Sequence, residues 1–140
     1  MAQSSAEFDR LMTALSNSAA YSQDEYRQIE KIIKWVQDRQ SPPATPEAAR
    51  RHMARGEAAT EMATDPNGYQ AAIREFKAAT RLAPWLADPH YNLGILQDRI
   101  KQYDRAIKSL TLYLLAAPDA GDRDATQSLI YKIEFKKEQD

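Results

Sequence analysis

The chain has 140 residues, 43% hydrophobic and 28% charged, the composition of one small domain with a core of its own rather than of a disordered segment. Nineteen basic against twenty acidic residues leave a net charge of −1, with no long run of one sign, which argues against nucleic acid as a ligand. Without cysteine there is no disulfide and no thiolate metal site, and no apolar run approaches the roughly 18 residues that a membrane span needs.

Four glycines, few β-branched runs and long stretches of Ala, Leu, Glu, Lys, Gln and Arg predict an all-α chain. The first helix is expected over about Ser5 to Leu15, with Phe8, Leu11, Met12 and Leu15 on one side. The second runs from Gln23 to about Arg39. Ser22 caps it, Glu25 reaches back to the cap, and Tyr26, Ile29, Ile33 and Val36 form its apolar face, widened by Ile32 and Trp35. Pro42 and Pro43 break the chain, so Gln40 to Thr45 reads as a hinge.

Thr45-Pro46 and Asp88-Pro89 both read as an N-cap followed by proline at the first helical position. From Pro46 a helix is expected to about Ala63, then a "TDPNG" turn in which Gly68 tolerates positive φ, then a helix from Tyr69 that stops at Pro84. A second pair follows, "PHYNLGILQDRI", a short turn at Lys101-Gln102, and a helix from Tyr103 that stops at Pro118. Superimposed, the pairs agree at a constant offset of thirty-four, which sets Tyr69, Ala72, Ile73, Phe76, Ala79 and Pro84 on Tyr103, Ala106, Ile107, Leu110, Tyr113 and Pro118. Small residues at Gly94, Ala72 and Ala106 fall where helices must approach closely, and Leu93, Phe76 and Leu110 fill the space between layers.

These residues resemble the tetratricopeptide repeat family. "YNLG" at Tyr91 to Gly94, "YDRAI" at Tyr103 to Ile107, and Pro118 stand at the family's spacing, and Ala87 to Ala120 matches one whole repeat. The unit before it is similar but longer, since sixteen residues separate Gly56 from Ala72 where twelve separate Gly94 from Ala106. His52 and His90 stand where the family often has tryptophan, and Tyr113 where alanine is usual. The resemblance implies an α-solenoid of two helix-turn-helix hairpins. Residues 1–45 form an N-terminal helical arm and hinge, 46–86 the first hairpin, lengthened by four residues, and 87–120 the second. Residues 121–140 form a C-terminal capping helix with Ala125, Leu129, Ile130 and Ile133 apolar. The "LAPWLADPHYNLG" passage also resembles the C-terminal repeat domain of bacterial proteins, often exported ones. The first fifteen residues lack the pattern of a signal peptide, yet Met1-Ala2 also suits a start placed after a removed leader, so cytoplasm and export both stay open.

Chemistry has little foothold. Two histidines without thiolates or a carboxylate pair make a poor metal site, so His52 and His90 read as packing residues. Ser4, Ser5, Ser16, Ser18 and Ser22 cluster at helix starts and turns, where hydroxyls cap backbone groups, and no nucleophile elbow or phosphate loop is present. Glu57, Glu61 and Asp98 read as exposed carboxylates rather than an acid and base pair. The expectation is a non-catalytic scaffold that needs no cofactor and no metal.

The far side of each hairpin's first helix is where a ligand is expected. Met53, Glu57 and Glu61 on one helix and Tyr91, Asn92, Ile95 and Asp98 on the other give an apolar stripe with an acidic border, suited to a peptide or partner helix carrying apolar and basic groups. Of the basic and amide clamp by which some family members hold a terminal carboxylate, Asn92 alone is in place; Arg50, Arg51 and Arg55 lie nearby but off its positions. Trp85 reads as packed against the next helix rather than as an exposed anchor. The alternative is self-association, a homodimer built through Tyr26, Ile29, Ile33 and Val36.

Overall fold

In the computed structural model the described residues are 2–39 and 41–140, with side chains from Ala6 onward. Met1, the side chains of Ser4 and Ser5, and Gln40 at the head of the hinge lie outside the described residues. Two compact units are present, Met1–Thr45 and Pro46–Asp140. Among the described residues all regular structure is helical, in seven α-helices.

The first unit holds α1 (Ala2–Ser16) and α2 (Gln23–Gln37), which pack on each other. Ser22, in extended backbone, accepts the Glu25 N–H at 3.0 Å and so starts α2 as the sequence predicts. The return contact differs by one residue. The buried Glu25 carboxylate accepts the N–H of Tyr21, not of Ser22, at 3.0 Å, because Tyr21 turns the chain at φ 65° and aims its own N–H at the helix. Ser16 and Ser18 donate their hydroxyls to the carbonyls of Thr13 and Leu15 at the end of α1. Trp35 lies between Phe8, at a ring separation of 5.1 Å, and the guanidinium of Arg39, 3.9 Å from its ring centre, and Arg39 also pairs with Glu7.

The second unit is built from α3 (Glu47–Met62), α4 (Pro66–Leu82), α5 (Ala87–Arg99), α6 (Tyr103–Ala116) and α7 (Arg123–Gln139), each packed on its neighbours in sequence. The period of thirty-four is visible as geometry. Helices α4 and α6 end alike: Ala83 and Ala117 leave the helix at ψ 68° and 65°, each donating to the carbonyl four residues back at 2.9 Å. The next turn repeats too, with Leu86 donating to Ala83 at 3.1 Å and Ala120 to Ala117 at 3.2 Å. Inside each hairpin a glycine on the first helix takes a large side chain from the second. A Cβ on Gly56 would stand 2.8 Å from the Phe76 ring, and one on Gly94 2.5 Å from Leu110 Cγ, so only a glycine admits this approach. The two knobs, Phe76 and Leu110, are themselves thirty-four residues apart.

Several local expectations are corrected. Neither Thr45 nor Asp88 is an N-cap: Pro46 and Leu86 hold those positions, without a side-chain cap, and Asp88 and Pro89 lie in the first turn of α5. Proline is tolerated there because the first four N–H groups of a helix have no intrahelical acceptor. "TDPNG" is not a free turn. Asp65 caps α4 by accepting the Gly68 N–H at 2.9 Å, and Pro66 to Gly68 are wound into the helix. Gly68 has no positive φ; a side chain there would press within 2.9 Å of the Ala63 backbone. The four extra residues of the first hairpin therefore lengthen its helices, three at the start of α4 and one at the end of α3. On α7, Ala125 is exposed and Thr126 is buried in its place beside Ile130 and Ile133, with Leu129 half-buried.

Candidate functional site

A cleft of about 400 Å³ opens between α3 and α5. Its floor is apolar: Phe76 reaches up from α4 through the gap that Gly56 leaves, and Tyr91, Ile95 and Leu96 come from α5. Glu57, Thr60 and Glu61 form the α3 wall, with the two carboxylates one helical turn apart, while Asn92 and Arg99 stand on the α5 side. The site is thus an apolar trough with an acidic wall facing an amide and a guanidinium. Arg99 is oriented from outside, donating to the Tyr69 hydroxyl at 3.3 Å with its guanidinium 5.4 Å from the Tyr69 ring centre.

Of the residues singled out in sequence, the structure brings five together here: Glu57, Glu61, Tyr91, Asn92 and Ile95. Met53 is half-buried on α3 but does not line the cleft. Asp98 points elsewhere, to the ammonium of Lys136 on α7, with both carboxylate oxygens at 3.1 Å. Thr60, Phe76, Leu96 and Arg99 are the lining residues that sequence reasoning missed. Phe76 fills the space between layers, and it also floors the cleft because glycine, rather than a side chain, stands opposite it.

The remaining singled-out groups have partners of their own. Glu75 on α4 accepts from Arg55 Nε at 2.9 Å and faces His52 Nδ1 at 3.1 Å. The hydrogen bonds from His52 and Arg55, opposed in part by burial, hold its carboxyl below the ordinary carboxylate range. His90 is 1% exposed and sits 2.8 Å from the Pro84 carbonyl, a partner that requires an N–H on Nε2. The two histidines thus serve separate contacts, and no cluster of three potential ligands that could hold a metal occurs among the described residues. Tyr113 donates to Asp122 at 2.6 Å, which pushes its hydroxyl up to about 12. Trp85 is buried, as expected of a packing residue.

The face assigned to self-association is largely inaccessible, since Ile29, Ile33 and Val36 are buried and Tyr26 half-buried in the single chain. No helix among the described residues is long and apolar enough to cross a membrane. No family model matches the chain, and the search of curated proteins gives no match.

Proposed function

We propose that the protein is a non-catalytic interaction scaffold of the tetratricopeptide type, whose two hairpins hold a peptide or partner helix in the cleft between α3 and α5. One observation carries this reading: an apolar trough, lined by residues from three helices, is bordered on one side by Glu57 and Glu61. An apolar side chain of the partner enters between Tyr91, Ile95 and Phe76, and a neighbouring lysine or arginine meets the α3 carboxylates. The trough offers apolar contact surface and charge, and these support a binding reading.

The test is selection from a random peptide library on the purified chain, followed by affinity measurement on the selected peptides. The expected consensus is an apolar residue beside a basic one, with binding weakened about tenfold or more, some 1.4 kcal/mol, in Tyr91→Ala and Ile95→Ala. Selected peptides that bind both variants as well as the wild type would refute the cleft as the site.

A further inference from the structure

The second unit holds another surface with the form of a helix seat. In α5, Leu93 and Leu96 pack on Ala72 and Phe76 of the preceding α4. In α7, Ile130 and Ile133 pack on Ala106 and Leu110 of the preceding α6, the residues thirty-four further on. One step along each helix therefore gives equivalent positions: Tyr131 stands where α5 has Gly94, and Glu134 where it has Gln97. On α5 those two residues carry the next helix. Gly94 receives Leu110, and the buried Gln97 amide, with its nitrogen turned toward α6, meets the Ser109 hydroxyl at 2.7 Å and the Arg105 carbonyl at 3.0 Å.

On α7 the same face is open. Tyr131 and Phe135, one turn apart, are each 62% exposed. Beside them runs a groove of about 570 Å³ between α6 and α7, lined by Asp104, Ile107, Lys108, Glu134, Lys137 and Glu138. Lys137 is taken up by Asp104 at 2.6 Å, so the α7 rim toward the groove presents the carboxylates Glu134 and Glu138.

We propose that this groove docks an amphipathic, basic helix of a partner protein, in the manner in which α5 carries α6. The chemistry of the guest follows from the two exchanged positions. Where α6 offers Leu110 to a glycine, the guest must offer a small residue to Tyr131; where α6 offers Ser109 to Gln97, the guest offers a lysine or arginine to Glu134. Tyr131 and Phe135 supply the apolar contact that the glycine supplies by absence.

The experiment uses the full chain, labelled for amide chemical-shift mapping, and a synthetic peptide of residues 103–118 carrying Ser109→Lys and Leu110→Ala. Saturable shifts at Ile107, Tyr131, Glu134 and Phe135 are expected, with Kd below about 1 mM. Tyr131→Asp and Glu134→Lys, both at exposed positions, should each weaken binding about tenfold, as should Ser109→Glu in place of lysine in the peptide. No saturable shift, equal binding of the acidic peptide, or shifts confined to the α3–α5 cleft would each overturn the proposal. A two-chain mass in sedimentation that Tyr131→Asp reduces to one would make the guest a second copy, and so overturn the choice of a separate partner.

Discussion

Gly94 and Gly56 show what a missing side chain does in this protein. A Cβ at 94 would stand 2.5 Å from Leu110 Cγ, a branch point that cannot swing away, whereas one at 56 would meet only the tip of the Phe76 ring at 2.8 to 2.9 Å. Gly94→Ala is therefore expected to lose about 1 to 2 kcal/mol of stability in denaturant titration, the overpacking cost less the gain in helix propensity, and Gly56→Ala less than that. Glu75 makes a second prediction at this scale. Its carboxyl is held below the ordinary range by His52 and Arg55, so its contribution to stability is complete above that range and is lost as pH falls through the lowered value. Glu75→Gln should cost about 1 kcal/mol at pH 7, and the difference from wild type should shrink in melts at progressively more acid pH.

At the scale of elements, α2 and the ends of α4 and α6 were legible because their signals are local: a serine with glutamate three residues on, and a proline that stops a helix. The starts of α3 and α5 were not. The rule that sets proline at the first helical position cannot separate that position from the others in the first turn, where a missing N–H costs equally little, so Asp88 read as a cap although it lies inside α5. "TDPNG" failed for a related reason, since aspartate before proline and glycine suits both a free turn and a capped helix start. The structure selects the cap, so Asp65→Ala should destabilise α4 by about 1 kcal/mol, read as faster amide exchange in Pro66–Leu82 ahead of global unfolding. On α7 the periodicity located Ile130 and Ile133 but chose Ala125 over Thr126, because a short chain of apolar residues fixes a helical face only to within about one residue.

For the whole molecule, what the sequence carried was the period. Once two hairpins superimpose at thirty-four residues, the first helices of both fall side by side, and four cleft residues, Glu57, Glu61, Tyr91 and Ile95, follow from stepping along them, while Asn92 comes from the family resemblance. The floor was out of reach of that reasoning, since Phe76 belongs to a second helix and enters the cleft only because Gly56 leaves room. Asp98 was lost to an ion pair with Lys136, thirty-eight residues away, that nothing near Asp98 announces. Losing Asp98 while gaining Arg99 changes the border of the apolar stripe from acidic on both helices to acidic on the α3 wall alone, which sharpens what a ligand must carry and on which side.

The most direct test of the account is a charge swap across that wall. A peptide selected on the wild-type chain is titrated against Glu57→Lys/Glu61→Lys, two exposed changes that leave the apolar floor intact, and a second peptide with its basic residues replaced by glutamate is titrated against both proteins. The account predicts that the double variant binds the first peptide at least about tenfold more weakly and regains affinity for the second. Equal affinities in all four combinations would contradict it, and would remove the cleft between α3 and α5 as the place where this protein meets its partner.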